Sequence, residues 1–130
     1  MGHVSIAQHE RVTVLSVDRP PANAIDLALL GELVEAVDRL AADPPPALVL
    51  AGRDGFFSAG ADLKAVPGYG PAEQRGMVEG INRMALGVYG LPCPVVCAVT
   101  GRAHPRAGQS PRRRRRVRAA RSLRRGPPPR

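Results

Sequence analysis

A chain of 130 residues is enough for one domain at most, and two cysteines are too few for a disulfide-stapled scaffold. The formal net charge of +8 is divided unevenly: residues 1–100 hold seven Lys/Arg against eleven Asp/Glu, a net −4, whereas residues 101–130 hold twelve Arg and no acid, a net +12. No apolar run approaches the ~20 residues that cross a bilayer, which argues against a membrane protein. The N-terminus has no charged segment followed by an apolar run, so we expect no signal peptide and a cytoplasmic location.

The first predicted elements are two short strands. Residues 4–7 and 11–17 are rich in apolar and β-branched side chains, and the short connection between them is typical of a hairpin. Pro20 and Pro21 end the second strand, since proline cannot donate to a sheet ladder. Residues 22–25 then read as a short loop of small residues.

An amphipathic helix follows this loop. Asp26 is predicted to cap it by accepting a hydrogen bond from the N–H of Leu29. Apolar residues recur at helical spacing; they are Leu30, Leu33, Val34, Val37, Leu40 and Ala41. The run Asp43-Pro44-Pro45-Pro46 ends the helix.

Two uninterrupted apolar runs, residues 47–51 and 95–99, predict strands that are buried on both faces, as in a parallel sheet. A second helix is predicted between them over residues 72–89, where apolar residues again have helical spacing. We expect this helix to be loosely held, because each of its three glycines costs up to ~1 kcal/mol relative to alanine; they are Gly76, Gly80 and Gly87. The alternation of strands and helices predicts an α/β fold.

Residues 56–64 carry the clearest functional signal. Two phenylalanines are followed by small residues, Ser58-Ala59-Gly60-Ala61, and then by Asp62, which we expect to cap a helix rather than to act as an acid catalyst. Small side chains let a ligand approach bare backbone N–H groups. Such donors stabilise the charge that develops on a thioester carbonyl oxygen, each being worth roughly 3–4 kcal/mol. Taken alone, the signal is weak, because a plain strand-to-helix connection is the more common explanation of such a loop.

The neighbouring sequence favours the functional interpretation. Five blocks follow one another: Pro20-Pro21-Ala22-Asn23-Ala24-Ile25, the amphipathic helix, residues 47–51, Phe57-Ser58-Ala59-Gly60-Ala61-Asp62-Leu63-Lys64, and Leu91-Pro92-Cys93-Pro94-Val95-Val96-Cys97-Ala98-Val99-Thr100-Gly101. In order and spacing, over about residues 4–103, they resemble the enoyl-CoA hydratase/isomerase (crotonase) family.

The resemblance implies a ββα spiral that binds a coenzyme A thioester as substrate and needs no other cofactor. It implies that the N–H of Ala61 is one of two oxyanion donors and that the helix from about Ala72 belongs to a lid over the acyl group. The residues implied to line the coenzyme A side, largely through backbone atoms, are Ala22, Ala24, Ala59, Asp62 and Leu63. Family members commonly form trimers or pairs of trimers.

The chain departs from the family pattern after Gly101-Arg102-Ala103, because His104-Pro105-Arg106 replaces a glycine-rich turn that supplies the second donor. No Asp or Glu follows Glu79, so both acid/base glutamates of the hydratases are missing. We therefore expect an incomplete acyl-CoA-binding domain over residues 1–103, with little or no catalysis. A change of reading frame in a GC-rich gene is the hypothesis that explains the sequence beyond it, and the DNA after the codon for Gly101 tests it.

Residues 104–130 are predicted to be a disordered basic tail, since they hold too few apolar residues to order themselves. Five consecutive arginines, residues 112–116, would bind phosphate non-specifically. Selected binding to nucleic acid is the alternative function, but no aromatic residue is interleaved as a stacking platform. Cys93 and Cys97 lack partners with metal-ligand spacing, and we expect no metal site.

Overall fold

The computed structural model describes residues 2–103. Two expectations, the disorder of the tail and its binding to nucleic acid, concern residues 104–130 and lie outside the described residues. The described part is a mixed α/β structure with two sheets and two α-helices. Its elements are β1 (Val4–His9), β2 (Val12–Val17), β3 (Ala24–Ile25), α1 (Leu27–Ala42), β4 (Leu48–Ala51), β5 (Gly60–Ala61), α2 (Pro71–Tyr89) and β6 (Val95–Ala98).

The larger sheet has the strand order β1-β2-β4-β6. The hairpin β1–β2 is antiparallel, as expected, and β2–β4 and β4–β6 are parallel. Across the sheet, Leu15 lies opposite Leu50, and Leu50 lies opposite Cys97. The smaller sheet pairs β3 with β5 in parallel. The loop predicted over residues 22–25 therefore contains a two-residue strand, which is too short to have a periodicity that sequence reading could detect.

Helix α1 forms the centre of the structure. The carboxylate of Asp26 accepts from the N–H of Leu29 at 2.8 Å, as predicted. The buried side chains of α1 differ in part from the predicted ones, since Ala41 is exposed and Val34 only half-buried. They are Leu29, Leu30, Leu33, Ala36, Val37 and Leu40. This stripe is wider than a single apolar face because α1 contacts two neighbours.

The two sides of α1 pack differently. On one side, four buried residues of α1 form the core together with Leu15 of β2 and Leu48 of β4. On the other side, Leu30 and Val37 meet glycines of α2. A Cβ atom added to Gly80 would lie 2.7 Å from Leu30 Cδ2, and one added to Gly87 would lie 2.5 Å from Val37 Cγ1. Two of the three glycines that were expected only to loosen α2, Gly80 and Gly87, thus permit its close approach to α1.

The two strands predicted to be buried on both faces are more open than expected. Strand β6 is at the edge of the sheet among the described residues, with Val96 and Cys97 exposed. In β4 only Leu48 is fully buried. The prediction was wrong because, among the described residues, α1 packs against the sheet through a core that reaches Leu15 and Leu48 but leaves Val96 and Cys97 uncovered.

Within residues 2–103, neither helix combines the length and the apolar character that crossing a bilayer would require.

Candidate functional site

The pairing of β3 with β5 brings the predicted site residues together. Ala24 lies opposite Gly60, and Ile25 lies opposite Ala61. Just before this pairing, the N–H of Ala59 donates to the carbonyl of Ala22 at 3.0 Å. Four of the predicted residues, Ala22, Ala24, Ala59 and Ala61, therefore lie on two adjacent backbone segments, although residues 24 and 61 are far apart in the chain.

The N–H groups around Ala61 are almost all engaged. The N–H groups of Phe57 and Ser58 both donate to the carbonyl of Arg102. The N–H of Ala59 donates to the carbonyl of Ala22, and the N–H of Asp62 donates to the carbonyl of Ile25. The N–H of Gly60 donates to Ser58 Oγ. Within the described residues of this loop, only Ala61 and Leu63 make no N–H donation outside the β3–β5 pairing. Both residues are exposed. These two N–H groups are therefore the candidates in this loop for a contact with a ligand.

The conformation of Gly60 directs the chain into Ala61. Its φ of +80° lies in the left-handed region, which side chains with a Cβ rarely adopt. A Cβ at this position would meet no atom within 4 Å, so the requirement for glycine is conformational rather than steric. Gly60 thereby sets the direction of the peptide that carries the Ala61 N–H.

Asp62 begins a turn and not the helix that was expected. Its Oδ1 accepts from the N–H groups of Lys64 at 3.0 Å and Ala65 at 3.3 Å. Only a three-residue 3₁₀ turn, Val66–Gly68, follows, because Pro67 and Gly68 do not support a longer helix. Among residues 2–103, no helix N-terminus therefore lies behind Ala61.

The second carboxylate oxygen of Asp62 is paired with Arg19. Arg19 Nη1 donates to Asp62 Oδ2 at 2.9 Å, and Nη2 donates to Asp26 Oδ2 at 2.7 Å. The hydrogen bond from Arg19 lowers the pKa of Asp62 below its ordinary value, and the N–H groups of Lys64 and Ala65 act in the same direction. With both oxygens engaged and its proton lost, Asp62 has a structural role and is unsuited to proton donation.

Asn23 is a site-forming residue that sequence reading missed. Its side chain is 1% exposed and its φ is +53°. The amide Nδ2 donates to the carbonyls of Val17, Phe56 and Phe57 at 2.9, 3.3 and 3.2 Å, and Oδ1 accepts from the N–H of Arg19 at 2.7 Å. Asn23 thus ties the end of β2 to the loop that leads to Ala61. Asparagine is enriched at left-handed turn positions, so the sequence could have indicated the turn, but it could not have indicated the carbonyl partners of the side chain.

The chain after β6 returns to the same loop. The N–H of Arg102 donates to the carbonyl of Gly55 at 3.0 Å, and the carbonyl of Arg102 accepts from Phe57 at 2.8 Å. The Arg102 guanidinium lies 5.8 Å from the centre of the Phe56 ring, within range of a cation–π contact. The backbone that follows Gly101 is therefore anchored beside the segment that leads to Ala61. The position expected for the second donor begins at His104 and lies outside the described residues.

Two glutamates and the two cysteines lie away from this loop. Glu73 accepts from the N–H of Gly70 at 2.8 Å and caps α2, whereas Glu79 lines a groove between α1 and α2. Cys93 is half-buried and Cys97 is exposed, and both thiols are free. Within residues 2–103, no three His, Cys, Asp or Glu side chains are grouped as metal ligands.

The comparison with known families decides the affiliation. A sequence model of the enoyl-CoA hydratase/isomerase family matches residues 7–108. The chain belongs to the enoyl-CoA hydratase/isomerase family. The fold agrees, since solved structures with the crotonase fold match this chain over more than three quarters of its length.

Individual relatives of this family member are moderately similar to it. A probable enoyl-CoA hydratase of Bacillus subtilis (strain 168) is 30% identical over 105 residues, covering 79% of this chain and 41% of that protein. The mitochondrial enoyl-CoA delta isomerase 1 of Homo sapiens is 32% identical over 92 residues, covering 69% of this chain and 30% of that protein.

Among solved structures, the enoyl-CoA hydratase of Bacillus anthracis superposes with a TM-score of 0.70 at 31% identity, covering 76% of this chain and 40% of that one. The human mitochondrial delta3-delta2-enoyl-CoA isomerase superposes with a TM-score of 0.69 at 30% identity, covering 76% of this chain and 40% of that one. This family member therefore spans about two fifths of the length of these proteins, or less.

Proposed function

We propose that this chain forms a thioester-binding unit of the enoyl-CoA hydratase/isomerase type, in which the N–H of Ala61 donates to the carbonyl oxygen of an acyl-CoA. The observation that supports this most directly is the pattern of donors in residues 57–63. Apart from Leu63, its other N–H groups are engaged within the protein, whereas exposed Ala61 makes no donation outside the β3–β5 pairing and follows the left-handed Gly60.

The chemistry requires a donor at this position. When a proton leaves the α-carbon of a thioester, or a nucleophile adds at the β-carbon of an enoyl thioester, negative charge develops on the carbonyl oxygen. A fixed N–H stabilises that charge by roughly 3–4 kcal/mol. The N–H groups on either side of Ala61, those of Ala59 and Asp62, donate to backbone carbonyls of the β3 segment. The direction of the Ala61 N–H is therefore set before the ligand arrives.

Leu63 offers a second exposed N–H in the same loop, and it supports a role on the coenzyme A side. The residues proposed to line that side through backbone atoms are Ala22, Ala24, Ala59, Asp62 and Leu63. The carboxylate of Asp62 faces Arg19 rather than the ligand, so its contribution is to hold the turn. The coenzyme A thioester is the substrate, and the proposal needs no further cofactor.

Turnover is proposed to be slow or absent in this chain. Hydration requires acid/base groups, and no Asp or Glu follows Glu79 in the sequence. Glu73 caps α2 and is not available as a base. Hydration and double-bond isomerisation share the enolate-like intermediate, so the site is compatible with either reaction class. A cytoplasmic setting, which suits the two free thiols, belongs to the same proposal.

Titration calorimetry with crotonyl-CoA and with coenzyme A alone tests this function. We expect the thioester to bind more tightly than coenzyme A, and Ala61→Pro to remove this difference because proline has no N–H. Ala61→Ser keeps the donor and a small side chain, and it should bind as the wild type does. Equal affinity for the two ligands in the wild-type protein would contradict the proposal.

A further inference from the structure

Arg19 links three segments that surround the candidate donor. Nη1 donates to the carbonyl of Ala24 at 2.7 Å and to Asp62 Oδ2 at 2.9 Å, while Nη2 donates to Asp26 Oδ2 at 2.7 Å. One guanidinium therefore contacts β3, the cap of α1, and the residue that directly follows Ala61. The side chains of Arg19, Asp26 and Asp62 are only 23%, 20% and 14% exposed.

The pairing that carries Ala61 is short enough to need this support. Strands β3 and β5 have two residues each, and a small two-stranded pairing is marginal by itself. Gly60 adds no side-chain contact and is free to rotate in the absence of restraints. The bridge from Ala24 through Arg19 to Asp62 spans both strands, so it restrains the ends of the peptide segment that holds the Ala61 N–H.

Arg19 is itself held in place by the backbone turn that it begins. Its N–H donates to Asn23 Oδ1 at 2.7 Å, and its carbonyl accepts from the N–H of Asn23 at 2.8 Å. Asn23 is buried and also contacts the loop at Phe56 and Phe57. The guanidinium thus projects from a fixed point toward Asp62, which is what a positioning group requires.

We propose that Arg19 is a positioning residue for the oxyanion donor, and that it fixes the direction of the Ala61 N–H by bridging Ala24, Asp26 and Asp62. It acts through Asp62 and does not touch the substrate. The inference rests on the proposed function, since it assumes that Ala61 is the donor. Its chemistry is specific to arginine, because a planar fork can serve two carboxylates and a carbonyl at once, whereas a lysine ammonium is a point charge on a flexible stem.

A chromophoric ligand separates positioning from mere binding. The absorbance of 4-(dimethylamino)cinnamoyl-CoA moves to longer wavelength when a donor polarises its thioester carbonyl. We expect the wild-type protein to shift the bound probe, and Arg19→Gln to bind it with at most about tenfold weaker affinity while losing most of the shift. Arg19→Lys should restore part of the shift. If the Arg19→Gln protein shifts the absorbance of the bound probe as far as the wild-type protein does, the proposal is overturned.

Arg39→Gln is the matched control. Arg39 also donates to a carboxylate, that of Glu35 at 2.6 Å, but this pair is exposed and belongs to the far end of α1. Arg39 lies thirteen positions after Asp26 along the helix, which corresponds to about 20 Å. The control should leave the shift of the probe unchanged.

Amide hydrogen exchange tests Arg19 without any ligand. The N–H groups of Ala59 and Asp62 lie on either side of Ala61 and donate to β3-side carbonyls. We expect Arg19→Gln to speed their exchange at least about tenfold, while the amides of Leu33 and Leu40 in α1 stay protected. Unchanged exchange at both positions would overturn the proposal. A wild-type protein that does not shift the probe would refute the proposed function instead, and the exchange result would still decide the role of Arg19.

A second variant covers the case in which Arg19→Gln unfolds the whole domain. Asp62→Asn keeps the shape of the side chain and leaves the pair between Arg19 and Asp26 intact. Like Arg19→Gln, it should speed the amide exchange at positions 59 and 62 and reduce the absorbance shift of the bound probe. Wild-type behaviour of this variant in both measurements would overturn the proposal.

Discussion

Gly101 packs against Gly55 so closely that a Cβ atom on Gly101 would lie 2.3 Å from the carbonyl carbon of Gly55. This contact anchors the chain after β6 beside the loop that leads to Ala61, together with the two hydrogen bonds of Arg102. The atom in the way belongs to the backbone, which cannot rotate aside as a side chain can. Only glycine fits at this position.

The substitution Gly101→Ala should therefore destabilise the protein by at least ~1–3 kcal/mol, the range for forcing extra atoms into a packed site. Urea unfolding followed by circular dichroism measures the change. Gly68→Ala is the control, since a Cβ there meets no atom within 4 Å and should cost far less. Similar losses for the two variants would show that the contact is not restrictive.

A second glycine substitution tests the interface of the two helices by the sign of its effect. Helix propensity predicts that Gly87→Ala stabilises the protein by up to ~1 kcal/mol. Packing predicts the opposite, because the new methyl group would lie 2.5 Å from Val37 Cγ1, and valine has a stiff χ1 angle in a helix. We expect a loss of ~1–3 kcal/mol in the free energy of unfolding.

The double substitution Gly87→Ala with Val37→Ala identifies the cause. If the clash dominates, the two changes will cost less together than the sum of the single changes, since they share one contact. A stabilising Gly87→Ala would mean that α2 does not approach α1 at this point.

The substitution Gly60→Ala probes the backbone direction before Ala61. A residue with a Cβ pays ~1–2 kcal/mol in the left-handed region, so stability should fall by about this amount. Relief of that strain would turn the peptide that carries the Ala61 N–H, and binding of crotonyl-CoA should weaken more than binding of coenzyme A. Gly31→Ala is the control, and its effect on stability should have the opposite sign. A Cβ on Gly31, which lies in α1, would meet no atom within 4 Å, so the alanine should stabilise the helix by up to ~1 kcal/mol.

Acid should weaken the fold through Asp62. Its pKa in the folded protein is below the ordinary value of 3.8, chiefly because Arg19 donates to it, so the unfolded chain takes up the proton more readily. This contribution is fully present above the ordinary pKa and is lost as the pH falls through the folded one. Urea unfolding at a series of pH values from ~5 to ~2 should show a shallower decrease in stability for Asp62→Asn and for Arg19→Gln. An unchanged slope in both variants would contradict the assignment.

Local signals in the sequence were sufficient for the two α-helices and for the strands of the larger sheet. The cap at Asp26 and the helix behind it follow from a carboxylate placed three residues before a free N–H and from apolar spacing. The family resemblance rests on ordered blocks and was confirmed over residues 7–108. The small sheet was missed because β3 and β5 have two residues each, which is too few for any period.

The positioning groups could not be found in this way. Arg19 meets Asp62 across 43 residues of sequence, and neither residue has a local pattern that names the other. Asn23 reads as one small residue among several until its three carbonyl partners are known. Likewise, the role of Gly87 in helix packing is visible only in the structure, where it lies against Val37. Helix propensity describes only how much a glycine destabilises a helix and not which contact the missing side chain allows.

The carbonyl stretch of bound crotonyl-CoA, labelled with carbon-13 at the thioester carbon, is the most direct test of the central claim. Incorporation of lactic acid in place of Ala61 exchanges the N–H for an oxygen and keeps the methyl side chain. We predict that the wild-type protein lowers the stretching frequency of the bound thioester relative to water, and that the lactic acid variant returns it toward the solution value. The same frequency in both proteins would contradict the assignment of Ala61 as the oxyanion donor.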